Sequence, residues 1–87
     1  MSENKTKLAI IIPCFNEELV VQSTVETLLK VLDRIIAKGK IAEDSYIYLV
    51  DDGSKDKTWE IIEGLHSTYG ARVKGTKFIR NYGNQKA

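Results

Sequence analysis

A single cysteine, Cys14, stands in 87 residues. It permits no internal disulfide and no cysteine-based zinc site, and it fits a reducing compartment. Long apolar runs are missing as well. The polar start "MSENKTK" is followed by "LAIII", which is too short for a signal-peptide core or a membrane-spanning helix, and no other segment is long enough to cross a bilayer. Surplus charge is also absent. Thirteen Lys and Arg against twelve Asp and Glu leave a formal net charge of +1, which argues against a nucleic-acid binder working through a strong basic field. No G-x-G-x-x-G follows the first apolar run, and no G-x-x-x-x-G-K-[ST] occurs anywhere, so the dinucleotide fingerprint and the P-loop are both excluded. Internal repeats, low-complexity stretches and linkers are not seen.

What is present reads as one small globular domain: 43% of residues are hydrophobic and 29% charged. "LAIII", residues 8–12, predicts a strand buried on both faces and ended by Pro13. Asn16 then suits a helix N-cap, with Glu17 and Glu18 in the first turn favouring the positive end of the dipole. Val21, Val25, Leu28, Leu32 and Ile35 recur at helical spacing, and Gly39 is a C-terminal stop. "YIYLV", residues 46–50, predicts a second strand, and residues 51–57 a loop. A second helix is expected over Thr58–Tyr69, with Trp59, Ile62 and Leu65 on one face and Gly70 beyond its end. "KGTKFI" is a weaker third strand, and "NYGNQKA", which runs to Ala87, reads as the first turn of a third helix. This β-α-β-α-β order with short connections favours an α/β fold with a parallel sheet and right-handed crossovers.

In such a sheet, ligands bind at the carboxyl ends of the strands. Three loops reach that edge: "PCFNEE", "DDGS" and "RNYGN". Glu17, Asp51, Asp52, Arg80 and Asn81 are therefore expected to converge. Carboxylates repel phosphates but suit hydrogen-bond donors, such as a nucleobase N–H or the hydroxyls of a ribose or sugar. An aspartate accepting from a base N–H makes a charge-assisted bond of roughly 1.5–3 kcal/mol. Arg80 would supply the positive charge a diphosphate needs.

"IIIPCFNEE", "LVDDGSKDKT" and "FIRNYGNQKA", in this order, resemble the family 2 glycosyltransferases with a GT-A fold. The likeness covers nearly the whole chain. It points to the branch of dolichyl-phosphate mannosyltransferases and bacterial polyprenyl-phosphate glycosyltransferases. It implies a three-layer, parallel-stranded, Rossmann-like half of a nucleotide-diphospho-sugar transferase fold. It implies that Pro13, Phe15 and Glu17 line the nucleotide pocket, that Asp52 accepts from the base, and that Asp51 supports the loop or the ribose. Arg80, with Asn81, would lie near the diphosphate or the acceptor phosphate. The partners implied are a UDP- or GDP-sugar and a lipid phosphate, with no nucleic acid. The resemblance also implies a single inverting displacement at the anomeric carbon, in a protein on the cytoplasmic side that is membrane-associated or integral. Mg²⁺ or Mn²⁺ would be held by an acidic D-x-D-type motif that this chain lacks and that is expected beyond Ala87. Residues 1–7 then read as a polar tail. Residues 8–87 read as the N-terminal nucleotide-binding part of a domain cut before its metal motif, with no catalytic residue and no activity of its own.

Blander readings stand beside these. Asp51–Asp52 is also a strand-end turn of the "DG" kind. Glu18 reads as a dipole residue, Phe15 equally as core, and Arg80 also as a solvated charge. Cys14 reads as a small buried hydrophobe, His66 as surface and Trp59 as core. Two further functions compete. A signalling receiver also clusters aspartates at strand ends, but places its acidic pair after strand 1, whereas this pair follows strand 2. A non-catalytic oligomerising fragment is the other: an unpaired apolar edge on strand 1 would favour a homo-oligomer.

Overall fold

The computed structural model describes residues 5–78. Its elements run β1 (Ala9–Cys14), α1 (Val21–Ala37), β2 (Tyr46–Asp51), α2 (Thr58–Tyr69), a short 3-10 turn (Gly70–Arg72) and β3 (Val73–Lys77). The three strands form one parallel sheet in the order β1-β2-β3, with Ala9 opposite Tyr46 and Ile47 opposite Val73. Two successive crossovers of the same hand, stepping in one direction, put both helices on one face. The helices accordingly pack against each other as well as on the sheet. The described residues thus supply a sheet and one helical layer of the α/β architecture.

The core lies between those layers. Val21, Val25, Leu29 and Leu32 of α1 and Ile62 and Leu65 of α2 are buried against Ile47, Leu49 and Val73 of the sheet. Each such side chain contributes about 1.5–3 kcal/mol through removal from water. The α1 stripe follows helical spacing, although it is Leu29 rather than Leu28 that is buried, with Leu28 and Ile35 only partly so. α2 matches its expected limits, and Trp59 packs half-buried against the core. β3 begins at Val73, one residue before the expected start. The expected third helix, at the end of the chain before Ala87, lies outside the described residues.

Three expectations about β1 and its exit are corrected. The strand is not buried on both faces: Ile11 is 58% exposed, because the described helices cover the other side. Pro13 does not end it, since β1 continues to Cys14 with Pro13 opposite Val50. Leu8 and Cys14 carbonyls accept from Tyr46 and Asp52 N–H groups. By ladder alternation, odd residues of β1 turn their backbone groups outward, so Pro13 sits where its missing N–H loses no partner. Asn16 is not a helix cap. α1 starts only at Val21, its cap residue Val20 makes no side-chain cap bond, and its first turn contains no acid.

Ser45 ties the amino-terminal side of the sheet. Its buried hydroxyl donates to the Ala42 carbonyl (2.8 Å) and accepts from the Leu8 N–H (2.9 Å), satisfying a backbone donor just before β1.

Candidate functional site

The ends of β1 and β2 meet. Cys14 and Asp51 are opposite one another, and the last backbone bond between these chain segments runs from the Asp52 N–H to the Cys14 carbonyl (2.9 Å). Asp51 is fully buried at the close of β2, rather than in the loop that follows. Its Oδ1 accepts the Ser54 N–H (2.9 Å), closing the turn through Gly53, whose φ of 83° suits glycine. Its Oδ2 is buried and accepts no hydrogen bond from the described residues. An acceptor left so is costly.

Beyond the strands, side chains take over the pairing. Asn16 donates its N–H to Ser54 Oγ (2.8 Å), and its Oδ1 accepts the Lys55 N–H (2.9 Å). Glu17 donates its N–H to Thr58 Oγ1 (2.8 Å). Glu18 donates its N–H to Asp56 Oδ2 (3.2 Å), while its Oε1 accepts the Lys57 N–H (2.9 Å). The buried Thr58 hydroxyl donates to Asp56 Oδ1, which also accepts the Thr58 N–H. Partial desolvation pushes the Asp56 carboxyl up, but the bonds from the Thr58 hydroxyl, the Thr58 N–H and the Glu18 N–H outweigh it and hold its pKa below the ordinary 3.8. Asn16 adopts a φ of 51°, a left-handed conformation that asparagine tolerates better than most residues.

Ser54, Asp56 and Thr58 are not among the residues expected at the site from sequence. The signal that could have found them is D-x-T directly before an apolar helical pattern, a helix-start signature whose acceptors here serve a distant loop as well as α2. Glu18, expected as a dipole residue, instead spans the two loops through both its backbone and its side chain.

Of the residues expected at the site, Pro13 lies near the end of β1, with Phe15 and Glu17 on the turn after it; Asp51 closes β2, and Asp52 begins the turn after that strand. Phe15 is 51% exposed and therefore is not core. Pro13, Glu17, Ile12 and Val20 border a cleft of about 130 Å³ beside β1 and α1. Cys14 is buried below it. Burial raises its thiol pKa above the ordinary 9.0, and the negative charges of Asp51 and Glu17 raise it further. The thiol is thus the small buried group expected, not a nucleophile. His66 is exposed and hydrogen-bonded through Nδ1 to the Val73 carbonyl (2.7 Å), so that nitrogen carries the proton. Arg80 and Asn81 lie outside the described residues, as does Ala87, beyond which the acidic metal motif is expected. Among the described residues no group of three His, Cys, Asp or Glu is placed to hold a metal ion, and no helix is long and apolar enough to cross a membrane.

Comparison with known proteins identifies the family. The family model for glycosyl transferase family 2 matches residues 9–87, through to Ala87. The glycosyltransferase YkoT of Bacillus subtilis is 47% identical over 87 residues, all of this chain and 26% of YkoT. YkcC of the same organism is 39% identical over 79 residues, 91% of this chain and 22% of YkcC. The undecaprenyl-phosphate 4-deoxy-4-formamido-L-arabinose transferase of Yersinia pestis is 32% identical over 88 residues, again all of this chain and 25% of the relative. The chain therefore spans about a quarter of the length of these relatives. A receiver domain is excluded by this match. The chain belongs to glycosyl transferase family 2.

Proposed function

We propose that this chain is the nucleotide-facing portion of a longer inverting glycosyltransferase, which moves a sugar from a UDP- or GDP-sugar to a polyprenyl phosphate. The observation that carries this reading is the lacing of the two turns at the sheet's carboxyl edge, which brings Glu17, Asp51 and Asp52 onto neighbouring segments. The relative that acts on undecaprenyl phosphate supports the choice of acceptor.

In this reading Asp52 accepts a hydrogen bond from the base. Asp51, rigidly held by the Ser54 N–H, supports the turn or the ribose. Phe15, exposed beside Pro13 and Glu17, covers the base. Ligand sites commonly occupy about 300–1,000 Å³, so the cleft of about 130 Å³ would be one part of a larger site. Arg80 and Asn81, outside the described residues, would serve the diphosphate or the acceptor phosphate. An acidic motif elsewhere in the longer protein would hold the Mg²⁺ or Mn²⁺ in this reading. The contribution of this portion is positioning, which can supply several kcal/mol of barrier reduction. A polyprenyl phosphate is already anionic and needs less help from a general base than a sugar hydroxyl does. The protein would work at the cytoplasmic face of a membrane. The outward backbone groups of β1 and the exposed Ile11 suit pairing with a further strand, so a homo-oligomer belongs to the same proposal.

The test is turnover by the full-length protein of a panel of labelled UDP- and GDP-sugars, with undecaprenyl phosphate and either metal. Transfer to the lipid from one nucleotide class, lost in Asp52→Asn, is expected. Transfer only to a non-lipid acceptor would overturn the acceptor assignment, and full activity of Asp52→Asn would overturn the base contact.

A further inference from the structure

The five hydrogen bonds that join residues 16–18 to residues 54–58 pair positions 38 to 41 apart in the chain, and in each of them a side chain meets a backbone group. A sixth contact in this network, from the Thr58 hydroxyl to Asp56, fastens the second loop to itself and orients the acceptor that Glu17 needs. The pattern continues the parallel β1–β2 pairing past the point where backbone ladder bonds stop. Side chains of Asn16 and Glu18 reach the backbone of Lys55 and Lys57, while side chains of Ser54, Thr58 and Asp56 reach the backbone of Asn16, Glu17 and Glu18.

We infer that Asn16, Glu18, Asp56 and Thr58 are positioning residues: a buckle that fixes the separation of the two loops, and so aligns Glu17 with Asp51 and Asp52 toward one nucleoside diphosphate. The ligand half of this inference rests on the proposed function. Thr58 is the hinge of the buckle. It is fully buried, and its hydroxyl has a single proton. That proton goes to Asp56, which leaves a lone pair for the Glu17 N–H. Asp56 must therefore remain an acceptor, which its ionised carboxylate is. Glu17 is thereby held through its backbone, and its carboxylate is left for the cleft it borders.

The buckle touches the donor only through the loops it aligns. Its loss should weaken donor binding in the ground state and the transition state alike, raising KM and leaving kcat nearly unchanged. A mere loss of folded enzyme would do the opposite, lowering apparent kcat at constant KM. Thr58→Val keeps the shape and removes the hydroxyl, while Thr58→Ser keeps the hydroxyl. In the full-length transferase, Thr58→Val is expected to raise KM for the sugar nucleotide about tenfold, with kcat within about twofold and Thr58→Ser close to wild type. Glu18, which is not buried, gives a second pair that does not threaten folding: Glu18→Ala should raise KM, and Glu18→Gln, which retains Oε1, should not. Hydrogen exchange at the Glu17 and Glu18 amides should quicken in Thr58→Val without any nucleotide present. Unchanged KM in both Thr58→Val and Glu18→Ala would overturn the positioning role. Unchanged exchange would overturn the buckle itself. A wild-type enzyme that binds neither UDP nor GDP, yet shows the exchange effect, would overturn the nucleotide reading alone.

Discussion

Gly75→Ala is the sharpest test of how α2 sits on the sheet. Gly75 lies opposite Leu49 in β3, beneath α2. A Cβ placed there would stand 2.8 Å from Ile62 Cγ2, 3.2 Å from the Leu49 carbonyl oxygen and 3.6 Å from the Trp59 ring. Carbon pairs prefer about 3.5–4.0 Å, so the first contact is roughly 0.7 Å too short. Ile62 is 1% exposed and sits among core residues, so it cannot swing into solvent. Overpacking of this kind costs about 1–3 kcal/mol. Glycine in a strand is itself worth about 0.5–1 kcal/mol less than alanine, which offsets part of the cost. A net loss of roughly 0.5–2 kcal/mol is expected. For a domain this size that lowers Tm by several degrees, at about 4–8 °C per kcal/mol. Urea denaturation followed by the fluorescence of Trp59, the sole tryptophan, gives the value directly. Truncating Ile62 to Ala removes the clashing methyl, so Gly75→Ala should cost little or even stabilise in that background, and a double-mutant cycle should show the coupling. Equal cost in both backgrounds, or a stabilised single variant, would refute the close approach of α2 to β3.

Four further outcomes follow from the same geometry. Ile47→Ala and Leu32→Ala, both fully buried, should each cost about 2–5 kcal/mol, read from denaturation midpoints. Arg72→Ala breaks the exposed pair with Asp33 and should cost less than about 1 kcal/mol by the same assay. Asp56 has a folded pKa below 3.8, so the unfolded chain binds its proton first; the stability it gives is present above that value and lost as pH falls through the folded pKa. Asp56→Ala should flatten this part of the acid limb, and an unchanged profile would count against the Thr58 and Glu18 bonds. Cys14 behaves oppositely. Its folded pKa lies above 9.0, so its contribution is full below that value and declines as pH rises past it. Its thiol should resist alkylation at pH 8 until urea unfolds the chain, which mass spectrometry would show.

Those parts of the fold set by local chemistry were legible in the sequence. Thr58–Tyr69 has apolar periodicity with Gly70 behind it, and α2 has those limits. "YIYLV" is β-branched and aromatic, and β2 extends it by one residue, Asp51. What was not legible depends on partners far along the chain. Asn16 looks like a cap from its neighbours alone, but Ser54 and Lys55, 38 and 39 positions away, hold it in a left-handed conformation instead. Pro13 ends a strand by rule, yet an edge position removes the reason for the rule. The apolar run in β1 predicts two covered faces, whereas one is covered among the described residues. At the site, the carboxylates at the tips of β1 and β2 were legible from strand order. The buckle was not, because Asp56 and Thr58 look like an ordinary helix start until Glu17 and Glu18 arrive.

The central claim is that the turns after β1 and β2 build one nucleotide site. Amide chemical-shift mapping on the labelled protein, titrated with UDP and with GDP, tests it most directly. Saturable shifts confined to residues 14–18 and 51–58 for one of the two nucleotides are predicted. Shifts centred instead on the groove between α2 and β3, around Trp59, His66 and Lys74, would contradict it, as would no saturable shift with either nucleotide.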